Sequence, residues 1–126
     1  MAPARKKILI IDDDRSITQT FAFQMKGEGF DVISAEDGAE GWRKVGEEKP
    51  DVIVLELVVL KKDGFEILRD IKNLPAGEKI PVVVFSRLRN EHDIEEAREL
   101  GAVDYFVKSD TTLRHLIEKV KMLGAL

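Results

Sequence analysis

The chain contains no cysteine. That excludes disulfides, a thiol nucleophile and any zinc site built on thiolates, and it suits a reducing compartment such as the cytoplasm. No apolar run approaches the roughly 20 residues needed to span a bilayer. The basic opening Met1-Ala2-Pro3-Ala4-Arg5-Lys6-Lys7 is followed only by the short run Ile8 to Ile11, so it reads as a frayed tail entering a strand and not as a secretory leader. An excess of positive charge is also missing: 20 Lys and Arg stand against 24 Asp and Glu, a formal net charge of −4. Arg87, Arg89 and Arg98 build no basic patch against that balance, which speaks against a nucleic-acid binder. His92 and His115 have no second ligand at metal-binding spacing and read as surface residues; Trp42 reads as a partly buried packing residue. There are no internal repeats, low-complexity segments or linkers. The 126 residues suffice for a single domain with its own core.

What is present is alternation. Five short runs rich in β-branched residues, Lys7–Ile11, Phe30–Ala35, Val52–Leu60, Ile80–Phe85 and Val103–Val107, read as strands. Between and after them lie five helical patterns. The first follows Asp12-Asp13-Asp14, carries Ile17, Phe21 and Met25 on one stripe and stops at Gly27 and Gly29. The second opens on Asp37 with Glu40 three residues on, a capping-box spacing, and runs to about Glu48. Asp63-Gly64 leads into the third, striped by Phe65, Leu68 and Ile71, after which Leu74 to Lys79 is a loop. The fourth is Asp93 to Leu100 with Gly101 past its end, and the fifth runs from about Thr111 to Leu123. Such alternation predicts a (βα)5 domain, an open parallel five-stranded sheet in the flavodoxin-like order 2-1-3-4-5, covered by helices on both faces as a three-layer α/β/α sandwich.

The run Val52 to Leu60, VIVLELVVL, is apolar except for Glu56 at its centre. A carboxylate there is costly unless it is paired, hydrogen-bonded or metal-bound. Glu56 therefore sits at the open end of a buried strand in a polar site, or is neutralised by a partner. Ligands of open α/β sheets bind outside the carboxyl ends of the strands. At those ends stand Asp12-Asp13-Asp14, Glu56, Ser86 and Lys108. Clustered carboxylates need a cation, and an all-oxygen set of this kind suits Mg²⁺. Lys108 supplies a point charge for an anion or for Glu56. One of the three aspartates also serves as a helix cap.

In this pattern the chain resembles the receiver domain of two-component response regulators, the CheY-like family, over about residues 6 to 123. Asp12 and Asp13 match the family's acidic pair, and Glu56 stands at its phosphoacceptor Asp. Asp63-Gly64 match the end of its turn after the third strand, and Ser86 its hydroxyl residue. Gly101-Ala102-Val103-Asp104-Tyr105-Phe106-Val107-Lys108 match its Gly-Ala-x-Asp-Tyr-x-x-Lys segment, with Tyr105 at the switch aromatic. The resemblance implies signalling by phosphoryl transfer from a partner sensor histidine kinase, assisted by Mg²⁺. It implies action on a downstream signalling protein and a homodimer face of helix 4, strand 5 and helix 5. No nucleic acid or membrane is expected as a partner of the domain.

Three residues depart from the family: Glu56 for Asp, Leu60 for the turn Pro, and Ser109 for the Pro after the Lys. Glu56 is one methylene longer, and a misplacement of about 1 Å can cost ~100-fold in a positioned reaction. The expectation is a phosphorylation-independent or phosphomimetic receiver acting through protein–protein contact. Loss of both prolines favours natural divergence over a single designed replacement. The expected metal set is Asp13, Glu56 and the backbone carbonyl of Val58, with Asp12 acting through water. The alternative has Glu56 fold over to Lys108 and fill the metal position itself. The Lys108–Ser109 peptide is expected trans, because a cis bond before a non-proline residue costs about 2.5–4 kcal/mol.

Two other classes compete. A Mg²⁺-dependent phosphotransferase or phosphatase would use the same acids, but the short loops offer no insertion to build a substrate pocket. A flavin or nucleotide binder would need a Gly-rich phosphate loop where Asp12-Asp13-Asp14 stand.

Overall fold

Residues 5–125 are described by the structure, a computed structural model; the first four residues of the tail read as frayed lie outside them. The strands are β1 (Lys7–Ile11), β2 (Asp31–Ala35), β3 (Val52–Leu55), β4 (Val82–Ser86) and β5 (Asp104–Val107). They form one parallel sheet in the order β2-β1-β3-β4-β5. The helices are α1 (Arg15–Gly27), α2 (Gly38–Glu48), α3 (Gly64–Lys72), α4 (Glu91–Glu99) and α5 (Leu113–Gly124). This is the predicted flavodoxin-like arrangement.

The pleat divides the core in two. Leu9, Ile11, Ile53, Leu55, Val82 and Val84 point to the face covered by α2, α3 and α4. Ile8, Ile10, Val52, Val54, Val83 and Phe85 point to the face where Phe21 and Met25 of α1 and Leu116, Ile117 and Val120 of α5 pack. β3 and β4 are buried throughout, as strands covered on both faces must be.

Every α-helix starts on a short polar cap at the carboxyl rim of the sheet. Asp14 accepts from the N–H groups of Ser16 and Ile17, Asp37 from Glu40, Asp63 from Glu66, Asn90 from Asp93 and Thr112 from His115. With Asn90 as its cap, α4 starts at Glu91, two residues before the predicted Asp93. The loop read at Leu74 to Lys79 carries a short 3₁₀ turn over Ala76–Glu78.

The largest departure concerns the central run, which ends as a strand at Leu55 and not at Leu60. Beyond Leu55 the neighbour β1 no longer offers a ladder, since it ends at Ile11, the partner of Leu55. Leu57 and Val59 stay buried as loop residues packed against α3, while Val58 and Leu60 face outward. Glu56 thus lies one residue past the strand end.

Two helix-starting glycines clamp that loop. The Gly38 N–H donates to the Leu60 carbonyl at 3.0 Å and the Gly64 N–H to the Leu57 carbonyl at 2.9 Å. A Cβ on Gly38 would stand 1.4 Å from the Lys62 carbonyl oxygen, and one on Gly64 would stand 2.6 Å from the Leu57 Cα. Backbone cannot yield as a flexible side chain does. Gly38→Ala is expected to destabilise the domain by about 3 kcal/mol, at the upper end of overpacking costs, whereas Gly77→Ala, with open space around it, changes stability little. Urea unfolding of the two variants beside the parent chain checks this.

Candidate functional site

The register sets the site. Pairing of Ile11 with Leu55 places the next residues, Asp12 and Glu56, side by side at the rim, and the Glu56 N–H donates to the Ile11 carbonyl at 2.9 Å. Ser86 closes β4, and Lys108 follows β5. The structure brings these residues together with Asp13. Asp12 and Glu56 are almost fully buried, at 2% and 0% exposure, and Ser86 is buried too.

Lys108 joins the two carboxylates. Its Nζ is 2.8 Å from Asp12 Oδ2 and 3.1 Å from Glu56 Oε1. The peptide after it is trans, as are all peptide bonds among the described residues, and Lys108–Asp110 form a 3₁₀ turn ahead of Thr112 and α5. Glu56 Oε2 accepts the Ser86 hydroxyl and the Val58 N–H, the latter at 3.2 Å. Glu56 Oε1 accepts the Arg87 N–H at 3.2 Å. From Ser86 the network runs on: the Leu88 N–H donates to Ser86 Oγ at 3.1 Å, and the Tyr105 hydroxyl donates to the Leu88 carbonyl at 2.7 Å. Tyr105 is turned inward and buried.

Burial opposes ionisation of Glu56, yet the Ser86 hydroxyl, Lys108 and the Val58 N–H together outweigh it and hold the carboxyl below its ordinary value. At Asp12 burial prevails over the help of Lys108 and the Asp14 N–H, and the carboxyl is raised. Burial also works against the Lys108 ammonium, but Asp12 and Glu56 more than compensate and its value rises. Burial raises the Tyr105 phenol.

One participant carries no signal in the sequence beyond following Ser86. The Arg87 guanidinium reaches back over the rim: Nη2 donates to the Val58 carbonyl at 3.2 Å and lies 3.5 Å from Asp13 Oδ1, and Nε lies 3.5 Å from Glu56 Oε1. Asp13 is half-exposed and shares the Arg87 guanidinium with Glu56. Of the remaining residues singled out by sequence, His92 and His115 are exposed, and His115 packs edge-on against Phe106 at 5.3 Å. Trp42 is half-buried beneath the Lys62 ammonium at 5.4 Å.

As arranged, these side chains do not fit a divalent cation. The Val58 carbonyl, Asp13 and Glu56 face Arg87, and Asp12 faces Lys108. No group of three or more acidic, histidine or cysteine residues among those described is disposed to hold a metal.

The structure thus combines a parallel α/β sheet in the order β2-β1-β3-β4-β5 with carboxylates, a hydroxyl and a lysine converging on its carboxyl rim. The response regulator receiver domain model matches residues 8–121, and the chain belongs to that family. Solved structures agree. A Clostridium difficile two-component response regulator is 28% identical, with 94% of this chain and 95% of that one covered and a TM-score of 0.84. The BeF3-activated N-terminal receiver domain of Klebsiella pneumoniae RstA is 25% identical over 96% of this chain and 100% of its own, with a TM-score of 0.84. A CheY-like receiver from Methanospirillum hungatei, 24% identical with coverage of 97% and 95% and a TM-score of 0.87, shares the fold. The chain is thus a receiver domain of two-component signal transduction. Receiver domains are generally non-enzymatic modules that work with histidine kinases and downstream effectors, and they generally take Mg²⁺ at the acidic site. No helix among the described residues is long and apolar enough to cross a membrane.

Removing Lys108 leaves two buried carboxylates without their ammonium. Lys108→Ala is expected to cost about 3–5 kcal/mol, and Asp13→Ala, which breaks a half-exposed pair, less than about 1 kcal/mol. Chemical denaturation decides between them. Acid titration followed by carboxyl carbon shifts should move Asp12 and Glu56 apart. The stabilisation carried by Glu56 is complete above the ordinary Glu range near pH 4.5 and is lost as pH falls through its depressed value. Asp12 has the opposite sign: its raised carboxyl favours the fold more as pH falls through that value. The Lys108 contribution is complete below the ordinary lysine range near pH 10.4 and disappears only as pH rises beyond it.

Proposed function

We propose that this receiver works as a phosphorylation-independent signalling module, in which Glu56 stands at the phosphoacceptor position and holds the switch engaged through protein contacts of its own. The observation that carries the reading is the saturation of Glu56. Its two oxygens take the Ser86 hydroxyl, the Val58 and Arg87 N–H groups and Lys108 at once. A carboxylate with both oxygens occupied and its pKa depressed is a structural anion, and it is poorly placed to attack a phosphoryl group.

The same contacts join Glu56 to the β4–α4 loop and, through Leu88, to inward-facing Tyr105. Ser86 and Tyr105 act as the switch residues, and Glu56 takes the role that a modified Asp would have. Output then follows from presence and abundance of the domain, read by a histidine kinase or downstream protein on its surface. Homodimerisation through α4, β5 and α5 belongs to the same reading, as does residence in the cytoplasm.

The enzyme alternative finds less support. The rim side chains bind one another, and clefts of about 560 and 460 Å³ lie at the opposite, amino-terminal end of the strands, lined by Trp42, Pro50 and Ile80 and by Leu68, Pro81 and Val103.

Acetyl phosphate with Mg²⁺, followed by intact mass, should leave the chain unmodified while an ordinary receiver treated alongside gains one phosphoryl group. The amide spectrum of Ser86 to Leu88 and the ring signals of Tyr105 should stay in place. Glu56→Ala should shift both sets of signals, because the loop loses its anchor. A stoichiometric phosphoryl adduct on Glu56 would sink the reading.

A further inference from the structure

Arg87 follows Ser86 at the carboxyl rim of the sheet. Arg87 is more than half exposed, yet its guanidinium is not free. It contacts three groups from two different strand ends: the Asp13 carboxylate after β1, and the Glu56 carboxylate and Val58 carbonyl after β3. Those are three oxygens of the kind a hard divalent cation collects, two carboxylates and a backbone carbonyl. A guanidinium is always protonated, carries only donors and presents five N–H groups in a planar fork, so one side chain can bridge several oxygens.

We infer that Arg87 is a tethered cation in the place of the metal, making this receiver site independent of Mg²⁺. The inference rests on Glu56 standing at the phosphoacceptor position, as proposed above. Charge supports the assignment. Asp12, Asp13 and Glu56 carry three negative charges, and Lys108 and Arg87 return two of them. Without Arg87, Lys108 alone would face three carboxylates. The backbone adds a constraint: the Arg87 N–H donates to Glu56 Oε1 at 3.2 Å, so main chain and side chain of one residue grip the same carboxylate. Arg87 is in this sense a positioning residue, holding the β3–α3 loop at Val58 against the β4 end. A divalent ion must break its carbonyl hydrogen bond and two charged contacts before binding. Each such contact is worth a few-fold in affinity, and together about tenfold or more.

The experiment is a Mg²⁺ titration by calorimetry of the parent chain, Arg87→Ala and Arg87→Met, with Mn²⁺ broadening of backbone amides to locate the ion. The methionine variant keeps the aliphatic stem and guards against a simple loss of loop packing. Both variants should bind Mg²⁺ at least about tenfold more tightly than the parent, with broadening centred on Asp12, Asp13, Glu56 and Val58. Adding Asp13→Asn to Arg87→Ala should abolish the gain. Equal affinity in parent and variants overturns the inference, as does failure of both variants to bind, or a gain that survives Asp13→Asn. The outcome separates from the phosphorylation reading. An unphosphorylated parent that binds Mg²⁺ as well as its variants refutes only the role of Arg87, whereas a phosphoryl adduct on Glu56 refutes the earlier reading.

Discussion

Two carboxylates buried side by side at the end of a sheet are an electrostatic problem that the rest of this rim exists to solve. The order β2-β1-β3 makes Asp12 and Glu56 neighbours, and neither can turn to solvent, since each is almost completely covered. Desolvation alone would favour protonation of both, and their mutual repulsion adds to it. Lys108 changes the balance by lying 2.8 Å from one and 3.1 Å from the other. The lysine comes from beyond β5, two strands from β3, so the long flexible side chain spans Ser86 on the intervening strand. Its ammonium lies 5.7 Å from the centre of the Phe85 ring. A buried ion cluster of this kind adds little net stability compared with apolar packing, but breaking it is expensive. It therefore fixes one arrangement of β1, β3, β4 and β5 at their carboxyl ends more than it strengthens the fold.

The asymmetry between the two acids follows from their partners. Asp12 has an ammonium and the Asp14 N–H; Glu56 has an ammonium, a hydroxyl and two loop N–H groups. Burial therefore wins at Asp12 and loses at Glu56. The N–H donors around Glu56 belong to two loops, one after β3 and one after β4, and so its charge organises backbone as well as side chains. The chain of contacts from Glu56 to Ser86, Leu88 and Tyr105 is contiguous, which gives a physical route from the site to the α4–β5 surface.

Much of this was legible in the sequence, because most of it rests on local periodicity and capping chemistry. Strand alternation and Asp caps point to the element order, and strand order to the convergence of Asp12, Asp13, Glu56, Ser86 and Lys108. What escaped depends on three-dimensional neighbours. Val52 to Leu60 is one apolar run, yet it is strand only to Leu55; Leu57 and Val59 are buried by α3 packing, and hydrophobicity cannot separate a buried loop from a strand. The start of α4 is hard to place from hydrophobic pattern because its apolar face is thin, with Ala97 buried and Ile94 half-buried; the cap at Asn90 sets it. The close approach of Gly38 to the Lys62 carbonyl leaves no trace in sequence. Arg87 looked like any exposed arginine, since nothing in a linear pattern says which way a guanidinium folds.

The extra methylene of Glu56 makes sense within this set of contacts. A carboxylate oxygen accepts about two hydrogen bonds, so the whole group saturates at about four. Glu56 takes the Ser86 hydroxyl and the Val58 N–H on Oε2, and the Arg87 N–H and Lys108 on Oε1, with the Arg87 side chain 3.5 Å away. Reaching Ser86 at the end of β4 and Lys108 beyond β5 requires the carboxylate to stand away from the β3 backbone, and the glutamate side chain supplies that reach. An aspartate held at the same Cα would carry its carboxylate one methylene nearer its own strand. Glu56 instead satisfies the donors around it from within the chain, and Arg87 completes the arrangement by adding a second fixed positive charge. Glu56 and the arginine after Ser86 thus belong to one electrostatic arrangement, in which Lys108 and Arg87 offset two of the three carboxylate charges at the rim.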